Sequence, residues 1–336
     1  MNRLNKYRSR SAGTAVIAAC LGFLIWAAPP PSSALAQSAG LAGSFSRVGF
    51  GPRGMAMGNA LTGVTLEGVY PYYNPAHAAI VAEGNQVDLS TSAMSFDRSL
   101  HALNGSFALP PDAGLAISVV NGNVGDIDGR SPSGYPTGTL STHEYQILSA
   151  FGLRLSSALY AGIGIKYNLA DFHTGVDNSG GFGFDLGLLY LASERLTVGA
   201  SVRDILSKYT WNTNPLFGDE TSKSEVDRFP LQVSLGASYE TTEPLLLSLE
   251  AGVLAHANGT AYQLKIGSRY RIHERVTLRG GWLVDDLENA RYNNRFGAGF
   301  SLHLPFDLLA PSVDYAFLRE PNNVSAMHVF GLRLNL

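Results

Sequence analysis

The most constraining feature of this chain is a series of segments, each about ten residues long, in which apolar side chains alternate with small or polar ones. The series begins near Gln86 and continues to the last residue. In the last segment Phe330, Leu332 and Leu334 share one face, because successive side chains of a strand point to opposite sides. A buried parallel strand would be apolar without interruption, and a helix would repeat every three to four residues. The alternation therefore predicts an all-β fold.

Fourteen segments alternate in this way, and the even number favours a closed antiparallel barrel. If the N-terminus is periplasmic, every second connection is a short periplasmic turn and the others can be long external loops. We predict external loops at 124–141, 173–179, 208–228 and 285–293. The fold class predicted is a transmembrane antiparallel β-barrel of 14 strands over residues 85–336.

The first 36 residues have the composition of a secretory signal peptide. A basic head that runs to Arg10 precedes an apolar stretch at 15–28, which is shorter than a membrane span, and small residues lead to Ala36. The alternative is an N-terminal membrane anchor, but the prolines at 29–31 would end a helix before it crossed a bilayer. We predict removal of residues 1–36 and location in the outer membrane of a Gram-negative-type envelope.

Charge and cysteine content exclude several functions for the mature chain. Loss of four basic residues with the signal peptide changes the net charge from -3 to -7 (-3 minus 4), which argues against a nucleic-acid partner. The single cysteine, Cys20, is lost as well, so neither a disulfide nor a thiolate metal site can form. The histidines show no HExxH spacing, and no Gly-x-Ser-x-Gly motif is present. We predict no cofactor, no metal and no enzyme activity, and we expect a monomer that contacts outer-membrane lipid.

The polar face of the barrel is the place to look for function. If the apolar face meets lipid, the polar face lines the lumen, and basic side chains outnumber acidic ones there. The candidate lumen-facing residues are Arg154, Lys166, Asp185, Arg203, Glu250, Lys265, Arg269, Arg279, Asp314 and Arg333. Two interpretations remain open, namely ion pairs that join neighbouring strands and attraction of an anionic or carboxylate-bearing solute.

Residues 37–84 do not alternate, and we predict that they form a hatch inside the barrel mouth. A glycine-rich segment at 51–60 with a proline near its start favours a short helix, whose small residues allow close packing against the wall. An Asn-Pro pair then fixes the chain where it leaves the hatch. The hatch residues singled out are Gly54, Gly58, Asn74 and Pro75. Because the hatch is not needed to complete the strand ladder, we expect it to fill the lumen and move when something passes.

Four segments resemble, in order and spacing, the PorV/PorQ family of outer-membrane proteins. They are 49–64, Asn74–Ala76, Phe184–Tyr190 and Val313–Phe317. The resemblance covers essentially the whole mature chain. It implies a fourteen-stranded barrel similar to the FadL long-chain fatty acid transporters, with the N-terminal segment as an internal hatch.

This resemblance leaves two functions open. The first is a FadL-like channel for passive uptake of hydrophobic or amphipathic solutes. The second is a PorV/PorQ-like accessory protein of type IX protein secretion or surface attachment, which would bind secretion-system proteins and transport no solute. The modest length of the predicted external loops favours the channel.

Overall fold

The computed structural model describes residues 40–80, 85–172, 177–212, 224–241, 244–257, 259–291, 293–306, 309–320 and 325–336. The predicted signal peptide lies outside the described residues. Its cleavage, and with it the predicted division of the chain at residues 36 and 84, stays a prediction.

A closed barrel of 14 antiparallel strands is the main element of the fold, which confirms the predicted class. Its strands are β1 (Gln86–Ala93), β2 (Arg98–Leu109), β3 (Ala113–Arg130), β4 (Pro136–Arg154), β5 (Leu159–Asp171), β6 (Ser179–Leu191), β7 (Leu196–Ile205), β10 (Leu231–Glu240), β11 (Leu245–His256), β12 (Gly259–His273), β13 (Val276–Val284), β14 (Asn294–His303), β15 (Ser312–Arg319) and β16 (Ala326–Asn335). Each strand pairs with the next along the chain, and β1 pairs with β16 to close the barrel. Two further strands, β8 (Lys208–Asn212) and β9 (Ser224–Arg228), pair only with each other.

The two ends of the barrel carry different connections. At the end we call the turn end lie Gln86, Asn335 and tight turns such as 274–275. At the opposite end, the loop end, β3 and β4 continue as a long hairpin, and the β8–β9 hairpin connects β7 to β10. The predictions of loops at 124–141 and 208–228 were therefore wrong in part. Paired strands that project beyond the barrel have no face in contact with lipid. Their sequences therefore lack the alternation of apolar side chains from which we predicted the barrel strands.

The two faces of the barrel wall differ sharply in polarity. Large apolar side chains point outward and are exposed, among them Leu89, Ile163, Leu249 and Phe330. The side chains between them point inward and are buried. An exposed apolar band around a closed barrel suits contact with lipid, because the barrel satisfies every backbone hydrogen bond between strands.

Residues 40–80, which we call the plug, lie against the inner wall. They contain a 3-10 helix at Ser44–Arg47, the α-helix α1 at Gly51–Ala56 and a second 3-10 helix at Pro75–Ile80. Pro52 occupies the first turn of α1, where its missing N–H has no intrahelical partner to lose. None of the described helices has the length and apolar character needed to span a membrane.

Candidate functional site in the barrel lumen

The plug fills the lumen at the level of the barrel's inward-facing glycines. Residues 50–64 and 69–78 are buried throughout, whereas Leu66 between them is 48% exposed. Plug residues contact each of the 14 barrel strands through hydrogen bonds, ion pairs or close packing. The lumen is therefore a site shaped by the plug and the wall together.

Glycine on the inner face allows the plug backbone to approach the wall closely. A Cβ atom on Gly199 would lie 2.1 Å from the carbonyl oxygen of Thr62, and one on Gly281 would lie 2.2 Å from the amide nitrogen of Gly58. Both distances are far below van der Waals contact, so no larger residue fits there with the plug in place. The other inner-face glycines on which a Cβ would lie less than 3.0 Å from a plug atom include Gly114, Gly152, Gly162, Gly187, Gly267, Gly297 and Gly331. The sequence places these glycines on the inner face, and this could have predicted close contact between the plug and the wall, but our prediction did not use it.

Gly54 and Gly58 make different contacts, although the sequence predicts one packing face for both. Gly58 has a φ of +62°, and a Cβ on it would lie 2.8 Å from the carbonyl oxygen of Trp282 in the wall. Gly54 instead faces the plug itself, where a Cβ would lie 2.3 Å from the hydroxyl oxygen of Tyr73. The physical reason is that α1 ends at Ala56, so the spacing of a continuous helix does not extend to Gly58.

Asn74 and Pro75 attach the plug to β5 and β6. The side-chain amide of Asn74 donates to the carbonyl oxygens of Thr62, at 2.9 Å, and of Leu188 in β6, at 3.0 Å. Pro75 packs where Gly162 leaves space on the wall. The pair therefore joins the plug to the wall at β5 and β6, and its predicted role at the exit to β1 stays a prediction.

His77 follows this pair inside the second 3-10 helix. Its backbone N–H donates to the carbonyl oxygen of Asn74 at 3.0 Å, so the turn forms with histidine at this position. Burial of the imidazole lowers the pKa of His77 to about 4 and keeps the ring neutral at physiological pH.

The ten candidate luminal charges fall into two groups by burial. Nine of them are buried, and Arg154 alone is exposed. β4 ends at Arg154, so its side chain lies at the rim, where its Nε atom donates to the carbonyl oxygen of Ser156 at 3.3 Å. Arg154 therefore does not join the buried charges of the lumen.

One buried group, which we call the wall cluster, pairs its charges within β5, β6 and β7. The Lys166 ammonium lies 2.9 Å from Asp185 Oδ2 and 2.8 Å from Asp204 Oδ1. Next to it, Arg203 donates to the Gln232 side-chain oxygen and to the carbonyl oxygen of Tyr72 in the plug, each at 2.9 Å.

Sequence reasoning missed Asp204 in the wall cluster. The residue directly follows the inward-facing Arg203, so strict alternation would point it toward lipid. The β6–β7 register shifts at this level and Asp204 has a φ of +64°, which turns its side chain inward. A bulge of this kind leaves no clear mark in the sequence.

A second pairing lies on β11 and β12. Glu250 and Lys265 occupy directly opposed register positions, and the Lys265 ammonium lies 2.7 Å from Glu250 Oε1. The other carboxylate oxygen of Glu250 accepts a hydrogen bond of 3.0 Å from the backbone N–H of Thr62. This pair is complete within the wall and also holds one backbone group of the plug.

The third group, which we call the arginine belt, consists of Arg269, Arg279 and Arg333 near the turn end. Arg333 Nε lies 2.6 Å from Asp88 Oδ1 across the β1–β16 seam, and its Nη1 donates to the carbonyl oxygen of Glu67 at 2.9 Å. Arg279 Nε lies 2.6 Å from the Glu67 carboxylate. The belt therefore binds the plug as well as the wall.

Asp314 of β15 forms a further ion pair between the wall and the plug. Its Oδ2 atom lies 3.0 Å from Nε of Arg53 in α1, so here the plug supplies the cation and the wall the anion. Sequence reasoning placed Asp314 in the lumen but did not identify Arg53, Glu67 or Asp88 as partners. Arg53 and Glu67 lie in the predicted hatch, which has no periodic pattern, whereas Asp88 lies on the inward face of β1, where the alternation could have revealed it.

Glu67 is ionised in this setting. Burial by itself would raise the pKa of Glu67, but the positive charges of Arg279, Arg53 and Arg269 outweigh burial and hold that pKa below its ordinary value. Of the two interpretations of the luminal charges, the geometry favours ion pairing, with the plug as a partner in addition to neighbouring strands.

Comparison with known proteins identifies related structures. No protein-family model and no curated protein matches this chain. The toluene transporter TodX of Pseudomonas putida is 14% identical with a TM-score of 0.64, over 86% of this chain and 98% of that chain. The CymD monoaromatic hydrocarbon channel is 13% identical with a TM-score of 0.64, over 86% and 98%. A FadL homologue of Pseudomonas aeruginosa is 12% identical with a TM-score of 0.57, over 84% and 97%.

At these identities the likeness establishes the fold, which is a FadL-like barrel. The likeness supports the part of the sequence resemblance that implied a FadL-like barrel. None of the three structures is a PorV or PorQ protein, so that finer assignment stays a prediction.

Proposed function

We propose that this protein is an outer-membrane channel of FadL-like type for the passive uptake of hydrophobic or amphipathic solutes. The observation that carries the proposal is a closed barrel with an apolar outer face and a lumen filled by its own N-terminal residues. TodX and CymD share this barrel fold. TodX is a toluene transporter and CymD is a monoaromatic hydrocarbon channel. By this proposal the protein transports its solute unchanged and acts as a channel, not as an enzyme.

The contacts of the plug suggest where such a solute passes. Toward β2 and β3, plug residues meet the wall through apolar side chains, including Leu100 and Val120 packed near Phe45 and Tyr72. Val69 meets alanines of β3 and β4 in a similar way. Apolar contacts are non-directional, so a hydrophobic solute can replace them at little cost. The ion pairs toward β12–β16 are costly to separate. We propose that solute moves along the β2–β4 side while the charged side keeps the plug attached.

Deletion of residues 45–70 tests the channel. Cells that express the protein are expected to take up a neutral hydrophobic dye faster than cells that lack it, and the deletion variant should raise conductance in planar bilayers. Heat-dependent migration in detergent serves as the control that the barrel has assembled. A barrel that assembles without these residues and yet conducts at background would overturn the channel.

The outer-membrane location has its own test. We expect the mature protein to fractionate with outer membranes, to lack its first 36 residues, and to resist extraction by salt. Recovery as a soluble periplasmic protein would contradict the proposal. No observation supports a role in type IX secretion. Such a role would be favoured if deletion of residues 45–70 altered only the retention of other proteins at the cell surface.

A further inference from the structure

Two arginines of the barrel wall stand directly opposite each other. Arg269 of β12 and Arg279 of β13 are register partners, and their side chains are 6% and 3% exposed. Like charges in directly opposed positions destabilise a sheet, and burial strengthens their repulsion. An anion between them is therefore needed to keep both arginines buried in the wall.

The plug supplies that anion through Glu67. Its carboxylate lies 2.6 Å from Arg279 Nε and 3.6 Å from Arg269 Nη1. Arg269 also contacts the partly exposed carboxylate of Glu240 at 3.2 Å. The carboxylate of Glu67 thus lies in a cradle between two guanidinium groups, and guanidinium is the side-chain group that proteins favour for binding carboxylates.

This cradle is not filled completely by Glu67. The contact with Arg269 is longer than a hydrogen bond, and Arg269 Nε is buried without a hydrogen-bond partner among the described residues. By contrast, Lys265 and Glu250 form a close pair within the wall at 2.7 Å. The arginine pair therefore keeps unused donor capacity for an oxyanion.

Between residues 50 and 78 of the plug, water reaches the chain most easily at 65–68, although the Glu67 side chain itself is buried. Leu66 is 48% exposed, and residues 65–68 separate two stretches of the plug that are buried throughout. Gly68, with a φ of +112°, lets the chain turn here beside the Arg333 guanidinium. Glu67 makes the polar contacts of this turn with the wall, through its carboxylate to Arg279 and through its carbonyl oxygen to Arg333, so loss of the carboxylate contact weakens the attachment of residues 65–68.

From these observations we infer that Arg269 and Arg279 form a carboxylate-binding site on the barrel wall, and that Glu67 occupies it as an internal ligand. A carboxylate-bearing solute competes with Glu67 for the site. Its binding releases residues 65–68 from the wall, so the site links the presence of an anionic solute to the attachment of the plug. The site does not require that the protein transports anything, so its test is independent of the proposed function.

Direct binding to purified protein in detergent is the first test, with sodium benzoate as the probe. Glu67→Gln keeps the shape of the side chain but removes its charge, so Arg279 loses its carboxylate partner and Arg269 keeps only Glu240. Isothermal titration should show benzoate binding to Glu67→Gln that is several-fold tighter than to the unaltered protein. The double variant Glu67→Gln with Arg279→Gln should lose this binding. The matched control is Glu250→Gln, which frees one lysine instead of two arginines and should gain no comparable binding.

A second measurement covers the case in which Glu67→Gln does not fold. The chain has a single cysteine, within the predicted signal peptide, so Val69→Cys gives one reporter in the mature protein next to the Glu67 turn. Val69 is 7% exposed. Benzoate should raise the rate of maleimide labelling several-fold over sodium chloride of equal concentration, and Arg279→Gln should abolish this difference. Equal rates in benzoate and chloride, or a benzoate effect that survives Arg279→Gln, would overturn the inference.

Discussion

The wall cluster and the arginine belt both pair buried basic side chains with carboxylates, but they reach opposite arrangements. In the wall cluster, Lys166 is neutralised by Asp185 and Asp204 on the next two strands. In the belt, Arg279 depends on Glu67, which belongs to the plug. The ion pairs of one sector are therefore complete within the wall, and those of the other are complete only while the plug is attached. The difference shows that a buried charge in a barrel can stabilise the wall or hold a movable segment, according to which element supplies its partner.

The largest effect is expected for Arg333, which serves both the wall and the plug. Arg333→Gln leaves Asp88 buried without its cation and removes a hydrogen bond to the plug backbone. Breaking a buried pair in this way costs about 3–5 kcal/mol, so the free energy of unfolding should fall by that amount in urea titrations. Arg154→Gln is the control, because that arginine is exposed at the rim, and a surface change of this kind alters stability by less than about 0.5 kcal/mol. Similar losses of stability in both variants would contradict a stabilising role for the Arg333–Asp88 pair that joins β16 to β1.

The second prediction separates the two sectors directly, with Val69→Cys labelling as the readout of plug attachment. Lys166→Met leaves two carboxylates buried without their cation, so we expect a loss of about 3 kcal/mol in stability and no change in labelling. Arg279→Gln should raise the labelling rate, because Glu67 loses its closest partner. If Lys166→Met released the plug as strongly as Arg279→Gln, the two sectors would not differ in the way the structure indicates.

Sequence and structure agree best where lipid imposes a pattern. Alternation along each strand revealed the barrel and the inward face of residues such as Lys166 and Arg333, because one side of every strand must be apolar. The partners of these charges were not predictable in the same way. Asp204 turns inward at a bulge, and Glu67 reaches Arg279 through the fold of a segment that has no periodic pattern.

A smaller effect is expected from steric changes on the inner face of β13. In Gly281→Ala the new Cβ would lie 2.2 Å from backbone atoms of Met57 and Gly58, which cannot move aside as a flexible side chain could. Such overpacking costs about 1–3 kcal/mol and should raise Val69→Cys labelling as the plug shifts. Gly280→Ala is the adjacent control, since its Cβ would meet Ser268 Oγ at an ordinary 3.6 Å. Equal labelling in the two alanine variants would show that close packing at Gly281 does not hold the plug.

The smallest effect concerns a single hydrogen bond between the two sectors. Ser238 of β10 donates from its hydroxyl to the carbonyl oxygen of Gly63 in the plug at 2.7 Å. Ser238→Ala should lower the free energy of unfolding by about 1 kcal/mol, the usual net value of one hydrogen bond. Ser248 is its register partner on β11, and its buried hydroxyl has no hydrogen-bond partner among the described residues. Ser248→Ala should therefore be neutral or slightly stabilising in the same urea titration, because it removes an unsatisfied polar group. No loss of stability in Ser238→Ala would mean that this hydrogen bond adds nothing to plug attachment.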